Sequence, residues 1–143
     1  MNRVSVWCVI GVVAVVATSS CSSDSKSTSG MSVDVEARES GEVYSLVADR
    51  ASVPAGSVTI KLSNKGTMQH EMVVLKTDDP IDGLAVDADQ KVSEDSSVGE
   101  VGELDVGTSG TVTLDLAAGN YVLVCNIEGH YGHGMRTAFS VTG

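Results

Sequence analysis

The stretch CNIEGHYGHGM, residues 125–135, places a thiol, an imidazole and a thioether within one short loop. Sulfur and imidazole donors suit copper, whereas calcium and magnesium prefer oxygen. Ligands from one loop do not fix the geometry of a metal ion alone, so a donor from a rigid strand is also needed. His70, at the start of an apolar strand pattern, is the candidate. Two histidines and a cysteine with a weak axial methionine form the electron-transfer copper arrangement.

Around this loop the sequence is a series of short strand patterns separated by turns. Val58, Ile60 and Leu62 alternate with polar residues, which indicates a half-buried strand. Six other stretches have strand character, namely 31–37, 43–48, 70–76, 111–116, 121–125 and 137–141. Aromatic residues make up only 3% of the chain, so aliphatic residues must build the core. About seven to eight strands without a long helix predict an all-β sandwich.

Residues 78–105 interrupt this pattern with ten acidic residues and one base, Lys91. We predict a surface excursion there, with room for a short helix. The whole chain has a formal net charge of −10. An acidic surface repels nucleic acid and anionic lipid, so we expect neither as a partner, and it either attracts a basic protein or serves only to keep the protein soluble.

The N-terminus has the features of an export signal. Residues 1–20 combine Arg3 with an apolar run, and small residues precede Cys21 as in a bacterial lipoprotein processing site. We therefore expect export, lipidation of Cys21, and attachment to the cell membrane, facing outward or into the periplasm. The alternative is an ordinary signal peptide with an incidental cysteine. Residues 21–30 are serine-rich and predict a flexible tether for a folded domain at 31–143.

The cysteine count isolates one thiol in the folded domain. Of the three cysteines, Cys8 lies in the predicted signal peptide and Cys21 would carry the lipid. Cys125 therefore has no partner for a disulfide within the domain. A metal ligand and a reactive nucleophile are the two usual reasons for an exported protein to keep such a thiol.

Two motifs resemble the cupredoxin family. They are Asn64-x-Gly66-x₃-His70 and Cys125-x₄-His130-x₄-Met135, and the second is closer to rusticyanin and sulfocyanin than to plastocyanin. The resemblance spans about residues 53–142. It implies a Greek-key β-sandwich with one type 1 copper ion that cycles between Cu(I) and Cu(II). The implied ligands are His70, Cys125, His130 and Met135.

The resemblance also implies roles around the ligands. His130 would be the ligand whose ring edge reaches solvent, with Tyr131 available for partner contact, while His133 would be a surface neighbour. Asn64 and Asn126 would support the ligand segments. Cupredoxins often have Asn or Ser after the first histidine, where this chain has Glu71. We hypothesise that Glu71 accepts hydrogen bonds from the Asn126 region and so orients the ligands.

The predicted function is therefore electron transfer by a monomer that meets redox proteins carrying a basic docking patch. Copper trafficking or storage is the alternative, because Met68, Met72 and His133 flank the ligands. We expect no enzymatic activity. Copper enzymes of this type need further histidines, whereas the chain has three and Asn126 follows Cys125.

Overall fold

A computed structural model describes residues 30–143, and the predicted signal peptide, the Cys21 lipidation site and most of the tether lie outside this range. Within it, nine strands form two sheets. The strands are β1 Met31–Ser40, β2 Val43–Ala48, β3 Ser52–Pro54, β4 Gly56–Asn64, β5 His70–Lys76, β6 Ser97–Leu104, β7 Ser109–Leu116, β8 Gly119–Val124 and β9 Arg136–Thr142. In residues 30–143 no helix is long and apolar enough to cross a membrane.

The two sheets pack face to face and confirm the predicted all-β sandwich. One sheet has the strand order β2-β1-β4-β7 and the other has the order β3-β9-β8-β5-β6. The pairs β1–β4 and β3–β9 are parallel, and the other pairs are antiparallel. The alternation seen in the sequence points Val58, Ile60 and Leu62 into the shared core, where all three are fully buried.

Two central strands, β5 and β8, are apolar on both faces because both faces are covered. Their outward side chains form a second cluster with residues of the segment 77–96, which packs against the sheet. Val73, Leu75 and Val92 are among the buried members of this cluster. This explains why β5 and β8 read as continuous apolar runs in the sequence and not as alternating ones.

The predicted excursion at 78–105 is shorter than expected and has no helix in the structure. Residues 77–96 are irregular apart from one bridge between Val86 and Val92. The remainder is strand β6, which pairs with β5 at the edge of the sheet. This strand was not predicted from the sequence because Val101 is its only buried residue, so it has no alternating apolar pattern. Gly99 and Gly102 further weaken the strand pattern.

The topology gathers the predicted ligands at one end of the sandwich. Strands β5 and β8 are antiparallel neighbours, with Val73 opposite Val124. His70 at the start of β5 therefore lies at the same end as Cys125, which directly follows β8. The loop 125–135 then leads into β9, so the ligand loop is held between two adjacent strands of one sheet.

Candidate metal centre

Three predicted ligands meet in a buried group at this end. The Cys125 Sγ lies 3.3 Å from His130 Nδ1 and 4.0 Å from His70 Nδ1. One donor atom from each of the three residues lies within 4.8 Å of the others. His70 and Cys125 are fully buried, and His130 is 8% exposed. Residues 70 and 125, which are distant in sequence, are thus brought together as predicted.

These separations fit a single metal ion. Imidazole nitrogen and thiolate sulfur bind a first-row ion at about 2.0 to 2.3 Å, which places three donors in a plane about 3.6 Å apart. The two measured separations of 3.3 and 4.0 Å lie on either side of that value. A set of two imidazoles, one thiolate and a thioether is the copper combination. The donor set and its spacing therefore both fit copper.

Hydrogen bonds within the loop bring Met135 back to the cysteine. The backbone N–H of Cys125 donates to the carbonyl of Met135 at 3.0 Å, and the N–H of Met135 donates to His130 at 3.1 Å. Gly129 and Gly134 have φ values of 77° and 105°, which side-chain-bearing residues rarely adopt. The loop thus closes, and Met135, which is fully buried, is bonded through its backbone to Cys125 and His130.

Burial sets the protonation of the metal-free donors. It raises the pKa of the Cys125 thiol to about 11, although the backbone N–H of Glu71, 3.4 Å from Sγ, favours the thiolate. Burial lowers the pKa of His130, and the neighbouring His70 adds to this effect. At neutral pH the ligands are therefore a thiol and a neutral imidazole, and metal binding must displace the thiol proton.

The His130 ring is less open to solvent than predicted, because the β1–β2 hairpin covers it. The Tyr44 ring meets His130 edge-on at 5.1 Å and stacks on His133 at 5.0 Å between ring centroids. The backbone N–H of Tyr44 also donates to the carbonyl of His133 at 3.2 Å. His133 itself is exposed beside the site, as predicted.

Asn64 supports the turn that leads to His70. Its side-chain nitrogen donates to the carbonyls of Met68 and Leu104, at 2.8 and 3.0 Å, and its oxygen accepts from the N–H of Gly66 at 3.0 Å. Because every hydrogen-bonding group of this buried amide is used in fixing the turn, the start of β5 is held in place.

The proposed link between Glu71 and Asn126 is wrong. Asn126 is 3% exposed, and its side chain bonds both backbone groups of Val92, at 2.7 and 3.0 Å. The carboxylate that accepts from it, at 2.7 Å, belongs to Glu94. Burial and the negative Glu94 and Glu103 raise the pKa of Glu71, so its carboxylate is repelled from the place where Glu94 already lies.

Tyr131 also differs from its predicted role. It is 6% exposed, so it does not present its ring to a partner. Its hydroxyl donates to the Ile81 carbonyl at 2.7 Å and accepts from the Leu84 N–H at 3.1 Å. Tyr131 and Asn126 therefore anchor the segment 77–96 to the ligand loop.

Sequence reasoning missed Glu39 at the end of β1. Its carboxylate lies 2.8 Å from His70 Nε2, on the ring edge opposite Cys125. Glu39 and His70 are 31 residues apart, and a single acidic residue near a hairpin turn carries no signal of such a contact. Strand pairing of β1 with β4, which runs into the turn before His70, is what brings them together.

Known proteins similar to this chain include a family of sequence domains and several solved structures. The family model of the sulfocyanin (SoxE) domain matches residues 12–143. No curated protein sequence matches. The structure is similar to reduced auracyanin from the photosynthetic bacterium Roseiflexus castenholzii, with 26% identity, a TM-score of 0.56, and coverage of 80% of this chain and 100% of that one.

Two other solved structures show the same fold at lower identity. Rusticyanin from Thiobacillus ferrooxidans is 21% identical with a TM-score of 0.58, covering 80% of this chain and 79% of that one. An azurin from Methylomonas sp. strain J is 16% identical with a TM-score of 0.56, covering 79% and 98%.

Proposed function

The chain belongs to the sulfocyanin (SoxE) domain family, and on that premise we propose that it carries single electrons between redox proteins. The observation that carries the proposal is the buried meeting of His70, Cys125 and His130 donors within 4.8 Å. The bound copper would supply the one-electron cycle between Cu(II) and Cu(I). Met135 would be the weak axial ligand.

The sandwich supports this role by holding the ligands in one geometry. His70 is fixed by strand β5, and Cys125, His130 and Met135 are fixed by a loop that is hydrogen-bonded to itself. Little rearrangement is then needed when an electron arrives or leaves. The chain has three histidines, and the third, His133, lies on the surface. A second copper centre would lack imidazole ligands, so we propose a carrier and not an enzyme.

The ligand end also offers a surface for brief contact with a partner. Val43, Met68 and Val106 lie in or next to the loops at this end and are 67%, 37% and 54% exposed. The net charge of −10 would attract a partner with a basic docking patch. An apolar contact of modest size suits the short-lived complexes of electron transfer.

We further propose that the protein is exported and anchored through lipid on Cys21. The support is the sequence of residues 1–21, which combines a basic start, an apolar run and small residues before the cysteine. The full chain and a Cys21→Ser variant, both expressed in a bacterium, provide the test. We expect the full chain in the membrane fraction and the variant outside it. If the full chain and the Cys21→Ser variant were found in the membrane fraction in equal proportion, the proposed anchor would be contradicted.

Copper trafficking gains no support from the positions of the flanking methionines. Met72 is fully buried in the core and unavailable to a second ion, and Met68 alone is exposed. The donors of the site are buried as well, which is unfavourable for rapid release of copper to another protein.

The test of the proposed function compares electron exchange with copper exchange in the copper-loaded protein. We expect reversible one-electron voltammetry, and reduction and reoxidation by small redox complexes without loss of copper. Incubation with a metal-free copper-binding protein should leave the copper in place over many such cycles. Rapid loss of copper to the acceptor, together with an irreversible voltammogram, would favour trafficking and contradict electron transfer.

A further inference from the structure

Glu39 is a buried carboxylate with both oxygens engaged. Its side chain is 6% exposed. One oxygen, Oε2, lies 2.8 Å from His70 Nε2. The other, Oε1, accepts from the backbone N–H of Thr67, from the Thr67 hydroxyl at 3.0 Å and from the N–H of Met68 at 2.9 Å. One carboxylate therefore joins the first histidine to the turn that precedes it.

These contacts keep the carboxylate ionised. Oε1 accepts three hydrogen bonds from the turn, and hydrogen bonds to the charged form of a carboxyl group favour that form. An ionised carboxylate only accepts hydrogen bonds. Nε2 of His70 must then be the protonated ring nitrogen, which leaves the lone pair of Nδ1 directed at the side of Cys125.

We propose that Glu39 is a positioning residue of the copper centre, which fixes the tautomer and orientation of His70 and stabilises the oxidised metal over the reduced one. The proposal rests on the copper function proposed above. Cu(II), the Cys125 thiolate and Glu39 together have no net charge, whereas the same group with Cu(I) has a charge of −1. A buried site favours the neutral state, so Glu39 should lower the reduction potential.

The turn before His70 is shaped around this carboxylate. A Cβ atom added at Gly66 would overlap the carboxyl group of Glu39, and Gly66 is buried. Gly66 has no positive φ that would itself require glycine. The space that its missing side chain leaves is thus filled by Glu39, which indicates that turn and carboxylate form one unit.

Glu39→Gln is the direct test, because an amide cannot replace both oxygens. If the amide oxygen faces the turn, its NH₂ faces the Nε2–H of His70. If the oxygen faces His70, the NH₂ faces the N–H groups of Thr67 and Met68. In either arrangement the NH₂ group of the glutamine faces another hydrogen-bond donor. Glu42→Gln, on the exposed hairpin of the same sheet, removes the same charge and is the matched control.

We expect Glu39→Gln to weaken Cu(II) binding about 10- to 100-fold, the usual effect of losing a partner of a ligating histidine. Cu(I) binding should weaken less. The reduction potential rises by about 59 mV for each factor of ten by which Cu(II) binding weakens more than Cu(I) binding. Glu42→Gln should leave both affinities within about twofold of the wild type. Equal affinities and potentials in the two variants would overturn the proposal.

Two further measurements keep the test independent of copper chemistry and of folding defects. In the metal-free protein, ¹⁵N NMR of His70 should show the proton on Nε2, and a proton on Nδ1 would overturn the proposal. Gly66→Ala should displace the carboxylate and raise the potential as Glu39→Gln does, and an unchanged potential would count against the proposal. A protein that binds no copper but shows the expected tautomer would contradict the proposed function alone.

Discussion

Cys125 and its neighbours show how single residues set the chemistry of the site. The thiol is fully buried, its sulfur contacts both ligand histidines, and burial raises its pKa to about 11. A buried thiol in apolar surroundings is unreactive, but a metal ion at this position favours the thiolate. The same burial that protects the metal-free protein therefore makes Cys125 selective for a thiolate-binding metal.

At this scale we predict that Met135→Leu raises the reduction potential while the colour of oxidised copper is kept. Leucine has a similar volume and should cost less than about 1.5 kcal/mol of stability, but it removes the fourth donor, which stabilises Cu(II) more than Cu(I) because Cu(I) prefers lower coordination. Voltammetry of the copper-loaded variant checks this. Met72→Leu, in the core and fully buried, is the control. Equal potentials in the two variants would show that Met135 is not a ligand.

Some residues of the site could be predicted from the sequence and others could not. His70 and Cys125 were predicted from donor chemistry and His130 from the cupredoxin resemblance, and the structure brings their donors together. Glu39 and Tyr44 could not be predicted, since they belong to a hairpin that contacts the site only through strand pairing. Glu71 was given the wrong partner because the sequence does not reveal which of several carboxylates faces Asn126.

Among the elements, the ligand loop and the acidic segment 77–96 depend on each other. Asn126 and Tyr131 from the loop bond the backbone of Val92, Ile81 and Leu84. In return, the segment covers the outer faces of β5 and β8, the strands that carry or precede two ligands. The segment is therefore part of the support of the site and not an independent surface insertion.

We predict that Asn126→Ala lowers the free energy of unfolding of the metal-free protein by about 1–3 kcal/mol. The variant leaves the N–H and the carbonyl of Val92 without their buried partner. Urea unfolding measures the loss, and amide hydrogen exchange at Val92 should become faster. Asn120→Ala, which removes an exposed amide bonded to Asp78, should cost less than about 0.5 kcal/mol. A similar loss in both variants would contradict the anchoring role.

The strands themselves were predictable wherever one face is buried and the other exposed. The alternation of apolar and polar residues predicted the bounds of β1, β2, β4 and β7 to within a few residues, because the sandwich buries every second side chain. Strand β6 was missed, since an edge strand with one buried residue has no clear period. Its acidic residues instead suggested a loop, although β5 supplies the hydrogen bonds that hold them in a strand.

At the scale of the whole molecule, the net charge of −10 predicts a salt-dependent approach of charged redox partners. We predict that oxidation of the reduced protein by a cationic redox complex slows about tenfold between low and physiological salt. The reason is that salt screens the attraction of a chain with a net charge of −10. Stopped-flow kinetics measures the rates, with an anionic complex of similar potential as the control, which should speed up. The same trend for both complexes would contradict electrostatic steering.

The overall architecture was the most predictable feature. Strand patterns and the two ligand motifs indicated a cupredoxin sandwich, and the match of the sulfocyanin domain model to residues 12–143 confirms the family. The resemblance, however, began near residue 53 and left out the hairpin β1–β2. Structure was needed to show that this hairpin contacts both ligand histidines, through Glu39 at His70 and through Tyr44 at His130.

The most direct test of the central claim is the combined visible and EPR spectrum of the copper-loaded, oxidised protein beside its Cys125→Ser variant. We predict an intense visible band from the thiolate–copper bond and a small copper hyperfine splitting, with both lost in the variant. A colourless oxidised protein, or a spectrum that survives the replacement of Cys125, would contradict a type 1 copper centre at His70, Cys125, His130 and Met135.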